Sequence, residues 1–316
     1  MQKYHVLSGI LIVLPSLVWF TFTYTTEIWW IENLTAVPVF ILLYYLCLSV
    51  VFLFARHLPS TLFSLGLMCV WGVQMLPAHA GDLEQCRQPL RVIQYNLRYE
   101  NPDLTEFIRY IRSQPVDLVV LQEVSPAHGE QFRVLDREFP FQFGGQRNIG
   151  YPSSQMILSK EMLYGMQVHN TPDGHKIIRG VWQPKSGLDI DLFVAHPPSP
   201  RSERLWQERN VLIQAISDLT SYSALPITLV VGDFNLSAAS ERFGQLFPGF
   251  STRPVASWPN WGASIETPAS TMIGIDHLWL KVEGGDQREL CSRQALLNFK
   301  GSDHSPVLSL FALNRP

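Results

Sequence analysis

Charged residues are distributed so unevenly along this chain that a single water-soluble domain cannot account for it. Before Ala80 the only Asp, Glu, Lys or Arg side chains are Lys3, Glu27, Glu32 and Arg56, whereas acids and bases mix throughout everything after Gly81. The overall charged content, 16%, is low beside the roughly 25% of ordinary soluble domains, and the shortage is confined to the first quarter of the chain. The sequence therefore divides into an apolar region over 1–80, a linker over 81–89 and a domain over 90–316.

Three apolar runs, near 5–24, 36–54 and 61–76, each approach the ~20 residues that cross a bilayer, so about three transmembrane helices are expected. Pro15 and Pro38 suit such helices better than soluble ones, because neighbouring spans satisfy the freed backbone groups. Trp29, Trp30 and Trp71 fit interfacial positions. A cleaved signal peptide would explain the first run but not the other two. Lys3 favours a cytoplasmic N-terminus, the 25–35 loop carries Glu27 and Glu32 with no base, and the 55–60 loop carries Arg56 and His57. An odd number of spans then places the domain outside an inner or plasma membrane, in the periplasm or extracellular space. Cys47 and Cys69 fall in the apolar runs, which leaves Cys86 and Cys291 in the outer part, either paired or as two free thiols.

Beyond the linker, residues 91–97 alternate like a strand. Leu104, Phe107, Ile108 and Ile111 then follow at helical spacing behind Asp103, a candidate N-cap. Nearly continuous apolar runs at 117–124, 189–195, 227–231 and 276–282 suit strands buried on both faces. A second helix is expected over 202–219, with Leu205, Leu212, Ile216 and Leu219 on one side. Shorter strands across 155–182 suggest antiparallel segments, hence mixed sheets in a layered α/β domain.

The strands end in polar residues: Asn96, Gln122-Glu123, His196, Gly232-Asp233-Phe234-Asn235, and Ser302-Asp303-His304 in the last segment. Taken singly, each has a plain explanation as a turn, a cap or a solvated carboxylate. Together they supply hard carboxylate oxygens, amides and two histidines, the inventory needed to hold Mg²⁺ and hydrolyse a phosphoester.

These segments resemble the endonuclease/exonuclease/phosphatase superfamily, to which deoxyribonuclease I and the neutral sphingomyelinases belong. In family order they are Gln94-Tyr95-Asn96-Leu97-Arg98, Leu121-Gln122-Glu123-Val124, Ala195-His196-Pro197, Gly232-Asp233-Phe234-Asn235, Ile275-Asp276-His277 and Ser302-Asp303-His304-Ser305-Pro306-Val307. The resemblance implies a four-layer α/β sandwich, two mixed β-sheets face to face with helices outside. It implies that Glu123, helped by Asn96 and Asp303, holds Mg²⁺ or Mn²⁺, and that His304, oriented by Asp276, activates water. By the same resemblance Asp233 and Asn235 position water and phosphate, and His196 donates to a phosphate oxygen, although no acid supporting His196 is identifiable from sequence. His277 reads as packing or as a contact behind the site residues, since neighbours on a strand point to opposite faces. His128, His169 and His175 read as surface residues, Trp258 and Trp261 as an aromatic wall or as buried loop residues, and Arg98, Arg201 and Arg204 as solvated unless they meet phosphate.

The expected function is a membrane-tethered, metal-dependent phosphoester hydrolase acting on nucleic acid or on a phospholipid headgroup, with no sign of a protein partner. A net charge of −3 gives no basic footprint for nucleic acid. The competing class is a catalytically silent, membrane-anchored binding or sensor module of the same fold. The intact set of Glu123, Asp233, Asn235, Asp276 and His304 weighs against it.

Overall fold

A helix satisfies its backbone hydrogen bonds within one segment, which suits apolar stretches too long for a strand. A computed structural model describes residues 2–75, 77–81, 86, 88–184, 188–260, 271–283 and 290–312. Its N-terminal region forms α1 (Gln2–Thr23), α2 (Trp29–Thr35), α3 (Val39–Phe54) and α4 (Leu58–Gly72). Ile12, Tyr45, Leu48 and Trp71 pack among α1, α3 and α4, where Tyr45 Oη donates to Ile12 O and Trp71 Nε1 to Ser16 Oγ. Among the described residues one helix is long and apolar enough to cross a membrane, at Val6–Thr23 with a mean hydropathy of 2.0. The expected three spans are thus not all met. The second has the length only if α2 and α3 count together across a 62° bend, and the third is 15 residues long, short of the ~20 required. The 25–35 stretch, expected as a loop, contains α2 because its Glu32 is drawn into the domain that follows.

That domain carries α5 (Thr105–Ser113), α6 (Pro126–Phe132), α7 (Glu203–Ser221) and the short α8 (Glu241–Gly244). Its strands are β1 (His79–Gly81), β2 (Leu90–Asn96), β3 (Leu118–Gln122), β4 (Phe141–Phe143), β5 (Met156–Ser159), β6 (Met162–Asn170), β7 (Lys176–Gln183), β8 (Ile190–Ala195), β9 (Ile227–Asp233), β10 (Asp276–Val282), β11 (Leu290–Ala295) and β12 (Val307–Phe311). They form a seven-stranded sheet, β1-β11-β12-β2-β3-β5-β4, and a five-stranded sheet, β10-β9-β8-β7-β6. Each is mixed, since β2 and β3 run parallel in one and β8 and β9 in the other, while the remaining pairs are antiparallel.

The two sheets face each other across a core that includes Val92, Leu118 and Val120 from one and Trp182, Leu192, Val194, Leu229 and Leu278 from the other. Phe107, Ile111 and Phe132 of α5 and α6 cover the outer face of the first sheet. Leu212, Ile213 and Ile216 of α7 cover the second. The expected four-layer sandwich is borne out, because strands apolar on both faces can only be satisfied between two layers. Boundaries moved slightly. Leu104 rather than Asp103 is the N-cap of α5, and Asp103 Oδ1 accepts from Thr105 N at 2.8 Å. Ser202 caps α7 by accepting from Leu205 N.

Candidate active site

The parallel strands β2 and β3, and β8 and β9, all end at one rim of the sandwich, where the antiparallel β10 and β12 begin. Register makes this concrete: Asn96 pairs with Gln122, and Asp233 lies directly opposite Asp276. Gly232 allows the approach of β9 to β8, since a Cβ there would sit 1.9 Å from Ala195 O. The six segments singled out in the sequence therefore converge without any long loop having to carry them.

His304 Nδ1 donates to Asp276 Oδ2 at 2.9 Å, and both are buried. Asp276 is itself fixed by Gln94 Nε2, which donates to Oδ1 at 2.6 Å. The other face of His304 looks toward Asp233, with Nε2 3.7 Å from Oδ2. Burial opposes a charge on His304, yet the Asp276 and Asp233 carboxylates outweigh it and push the imidazole up to about 10. Burial likewise disfavours the Asp233 carboxylate, but His304, His196 and the Asn96 amide hold it well below the usual carboxylate range.

Asn96 Nδ2 bridges two acids, donating to Glu123 Oε1 at 3.1 Å and Asp233 Oδ2 at 2.9 Å. His196 Nε2 lies 3.5 Å from Asp233 Oδ2, so Asp233 is the acid beside this histidine that sequence alone did not reveal. Asn235 N donates to Asp233 Oδ1 and its Nδ2 to Pro197 O, which ties the β9 loop to the loop after β8. Glu123 and Asn235 adopt left-handed backbone conformations, with φ of 52° and 49°. Such angles cost a non-glycine residue roughly 1–2 kcal/mol and concentrate at functional sites. Asp303 Oδ2 accepts from Trp258 Nε1 at 3.0 Å.

All eight expected site residues meet at this rim. Glu123, His196, Asp233, Asn235, Asp303 and His304 line a cleft of about 690 Å³, with Asn96 and Asp276 buried behind them. Arg98, Arg201 and Trp258 also border it, while Arg204 pairs with Glu208 on the exposed face of α7. Trp261 lies outside the described residues. His128 is not a surface residue: it is buried in a capping box with Ser125 and reaches Asn101 O at 2.8 Å. His175 pairs with Glu208 at 3.1 Å.

Three polar residues escaped the sequence reading as contributors. Gln94 shares a strand face with Asn96, which alternation would have shown. Ser302 Oγ accepts from His304 N and donates to Asn96 O, joining two of the segments. Glu32, one of two carboxylates in the apolar N-terminal region, borders the cleft.

The sequence matches the endonuclease/exonuclease/phosphatase family over residues 93–304, two-thirds of the chain. The chain belongs to the endonuclease/exonuclease/phosphatase family. No curated protein matches it. Similar solved structures include D. rerio TDP2 complexed with single-strand DNA product, at 16% identity and a TM-score of 0.58, covering 72% of this chain and 100% of that one. They also include the beta toxin of Staphylococcus aureus, at 14% and 0.53 over 70% and 99%, and an endonuclease/exonuclease/phosphatase from Beutenbergia cavernae, at 17% and 0.54 over 71% and 72%. At such identities the likeness is one of fold, a phosphoesterase fold of this family.

The donor set fits a hard divalent cation. Mg²⁺ takes one or two carboxylates and keeps several waters, which Glu123 and Asp303, half-exposed on the cleft wall, would permit. Asp233, Asp276 and His304 also bring ligand atoms within 4.8 Å of one another. These three are buried, and His304 Nδ1 is already committed to Asp276, so they suit proton handling better than a hydrated ion. Asn96 turns its amide nitrogen to the acids and its oxygen to Arg98 N, so it would serve as an oxygen ligand only with the amide reversed.

Proposed function

We propose that this protein is a membrane-tethered, divalent-metal-dependent phosphoester hydrolase in which a His–Asp pair activates water. Its strongest support is the 2.9 Å bond from His304 to Asp276 at the rim where Glu123, His196, Asp233 and Asn235 converge. Mg²⁺ or Mn²⁺, held by Glu123 and Asp303 with Asn96 beside them, would polarise the phosphoryl group and offset its charge. His304 Nε2 takes the proton of the attacking water while Asp276 keeps the ring oriented through Nδ1. Asp233 and Asn235 position water and phosphate, and His196 donates to a phosphate oxygen as negative charge develops.

Tethering is supported by α1 and by the apolar side chains that α3 and α4 expose, Leu53, Phe54, Leu62 and Val70 among them. An outward-facing domain is supported by the Cys86–Cys291 disulfide, since such bonds persist in oxidising compartments. Two substrates share the chemistry. Nucleic acid is favoured by the fold likeness to D. rerio TDP2, whose structure holds a single-strand DNA product. A phospholipid headgroup is favoured by Ala36 and Val37, which bring the root of α3 into the cleft wall.

Full-length protein in detergent with Mg²⁺ or Mn²⁺, offered plasmid DNA, RNA, sphingomyelin and phosphoinositides, should hydrolyse at least one of them. His304→Ala should lose roughly 10²- to 10⁴-fold in kcat, the usual contribution of a general base. No hydrolysis by the wild type would leave the silent binding module as the correct reading, and a variant as active as the wild type would remove His304 as the base.

A further inference from the structure

The only charged side chain of α2 is almost fully enclosed by the catalytic domain. Glu32 is 2% exposed. Its Oε2 accepts from Arg209 Nη2 at 2.9 Å and from Trp206 Nε1, both on α7, and its Oε1 accepts from Ser240 Oγ at 2.7 Å, with Arg242 Nε 3.4 Å away. Two further bonds flank this cluster: Ser237 Oγ donates to Ala36 O at 2.8 Å and Asn33 Nδ2 to Pro200 O at 2.8 Å. The helix thus grips the loop after β9 and the loop after β8, the two loops that carry Asn235 and His196.

The second arm of Arg209 shows what the grip does. Its Nη1 donates to Asn235 O at 3.1 Å, so one guanidinium joins Glu32 to the backbone of a left-handed residue in the active site. Arg209 is itself only 2% exposed. Without Glu32 it would be a buried cation with no carboxylate partner. A buried ion pair is a poor way to gain stability, because apolar side chains of the same volume often do as well, but it fixes one geometry. Here the geometry fixed is that of the Asn235 loop.

We propose that Glu32 is a positioning residue of the active site: acting through Arg209, it holds the Asn235 loop, and the catalytic unit therefore begins at α2 rather than at residue 81. The inference rests on the hydrolase reading for its kinetic consequence but not for its structural one. The N-terminal region is on this view part of the enzyme, and an apolar anchor alone would not replace it.

The test uses the full-length chain in detergent and two readouts. In Glu32→Gln, kcat should fall about tenfold to a hundredfold with KM changed less than about twofold, as expected when a group is misplaced by a fraction of an ångström to about an ångström. Glu32→Asp, which keeps the charge, should recover part of that loss. Hydrogen exchange should accelerate in Glu32→Gln at the amides of residues 233–240 and stay unchanged in the β6–β7 hairpin on the far edge of the sheet. Equal kcat in Glu32→Gln and wild type, or exchange that rises evenly across the domain, overturns the proposal. A wild type that hydrolyses nothing defeats the hydrolase reading alone, and the exchange pattern then still decides whether Glu32 holds the loop. Should Glu32→Gln fail to fold, Glu32→Asp carries the same exchange comparison with a smaller amplitude.

Discussion

His304 is charged where its proposed task needs it neutral. Asp276 and Asp233 flank the ring and, against the effect of burial, push it up to about 10, so at neutral pH it carries a proton and cannot take one from water. The base form is gained when the negative charge around the ring falls, and a divalent cation held by Glu123 and Asp303, as proposed, would lower it. NMR titration of the His304 ring should therefore show a midpoint near 10 without divalent cation and a lower one, moved toward neutrality, with saturating Mg²⁺. A midpoint that ignores Mg²⁺ would sink the general-base role. Asp276→Asn removes the carboxylate that contributes most to the raised value and that orients Nδ1, so the midpoint should drop and kcat should fall roughly 10²- to 10³-fold. At this scale the sequence was informative about identities but silent about partners. The pairing of His304 with Asp276 came only with the family resemblance. The Asp233 beside His196 needed the register of β8 against β9, which no local pattern encodes.

Alternation along β10 sends Asp276 into the candidate active site and His277 to the opposite face. There His277 is buried against the rings of Phe243 and Trp279, and Nε2 donates to Leu236 O at 2.8 Å. Burial, reinforced by Arg293, lowers its pKa to about 4. In the unfolded chain the same group titrates near ~6.5, so unfolding takes up a proton between these values. The contribution of neutral His277 is fully present above about pH 6.5 and is lost as pH falls toward 4, on the order of 3 kcal/mol in all. His277→Gln keeps a donor for Leu236 O but has no proton to gain. Urea midpoints at pH 7.5 and pH 5 should differ clearly in the wild type and much less in this variant. An equal acid response in both would remove His277 as its source. Elements such as β10 were legible because an apolar run has few places to go. The helix α2 was not, since its seven residues are stabilised by what Glu32 meets 174 to 208 residues later, not by any local pattern.

The whole molecule is held together at points far apart in sequence, and this is where composition said least. Cys86 and Cys291 are joined across a separation of 205 residues, a pairing the sequence left open beside two free thiols. The bond ties the segment that follows the N-terminal helices to the start of β11, while Glu32 ties α2 to α7 on another side. A crosslink closing so long a loop restricts the unfolded chain strongly, and its loss typically costs about 2–5 kcal/mol. Cys86→Ser should therefore lower the unfolding midpoint of the purified protein, and a reductant should lower that of the wild type without further effect on the variant. The same bond tests location. If the domain is exported, as proposed, thiol labelling of unfolded protein taken directly from cells should find Cys47 and Cys69 reactive and Cys86 and Cys291 protected until reduction. Full labelling of all four before reduction would place the domain in a reducing compartment and overturn the outward orientation.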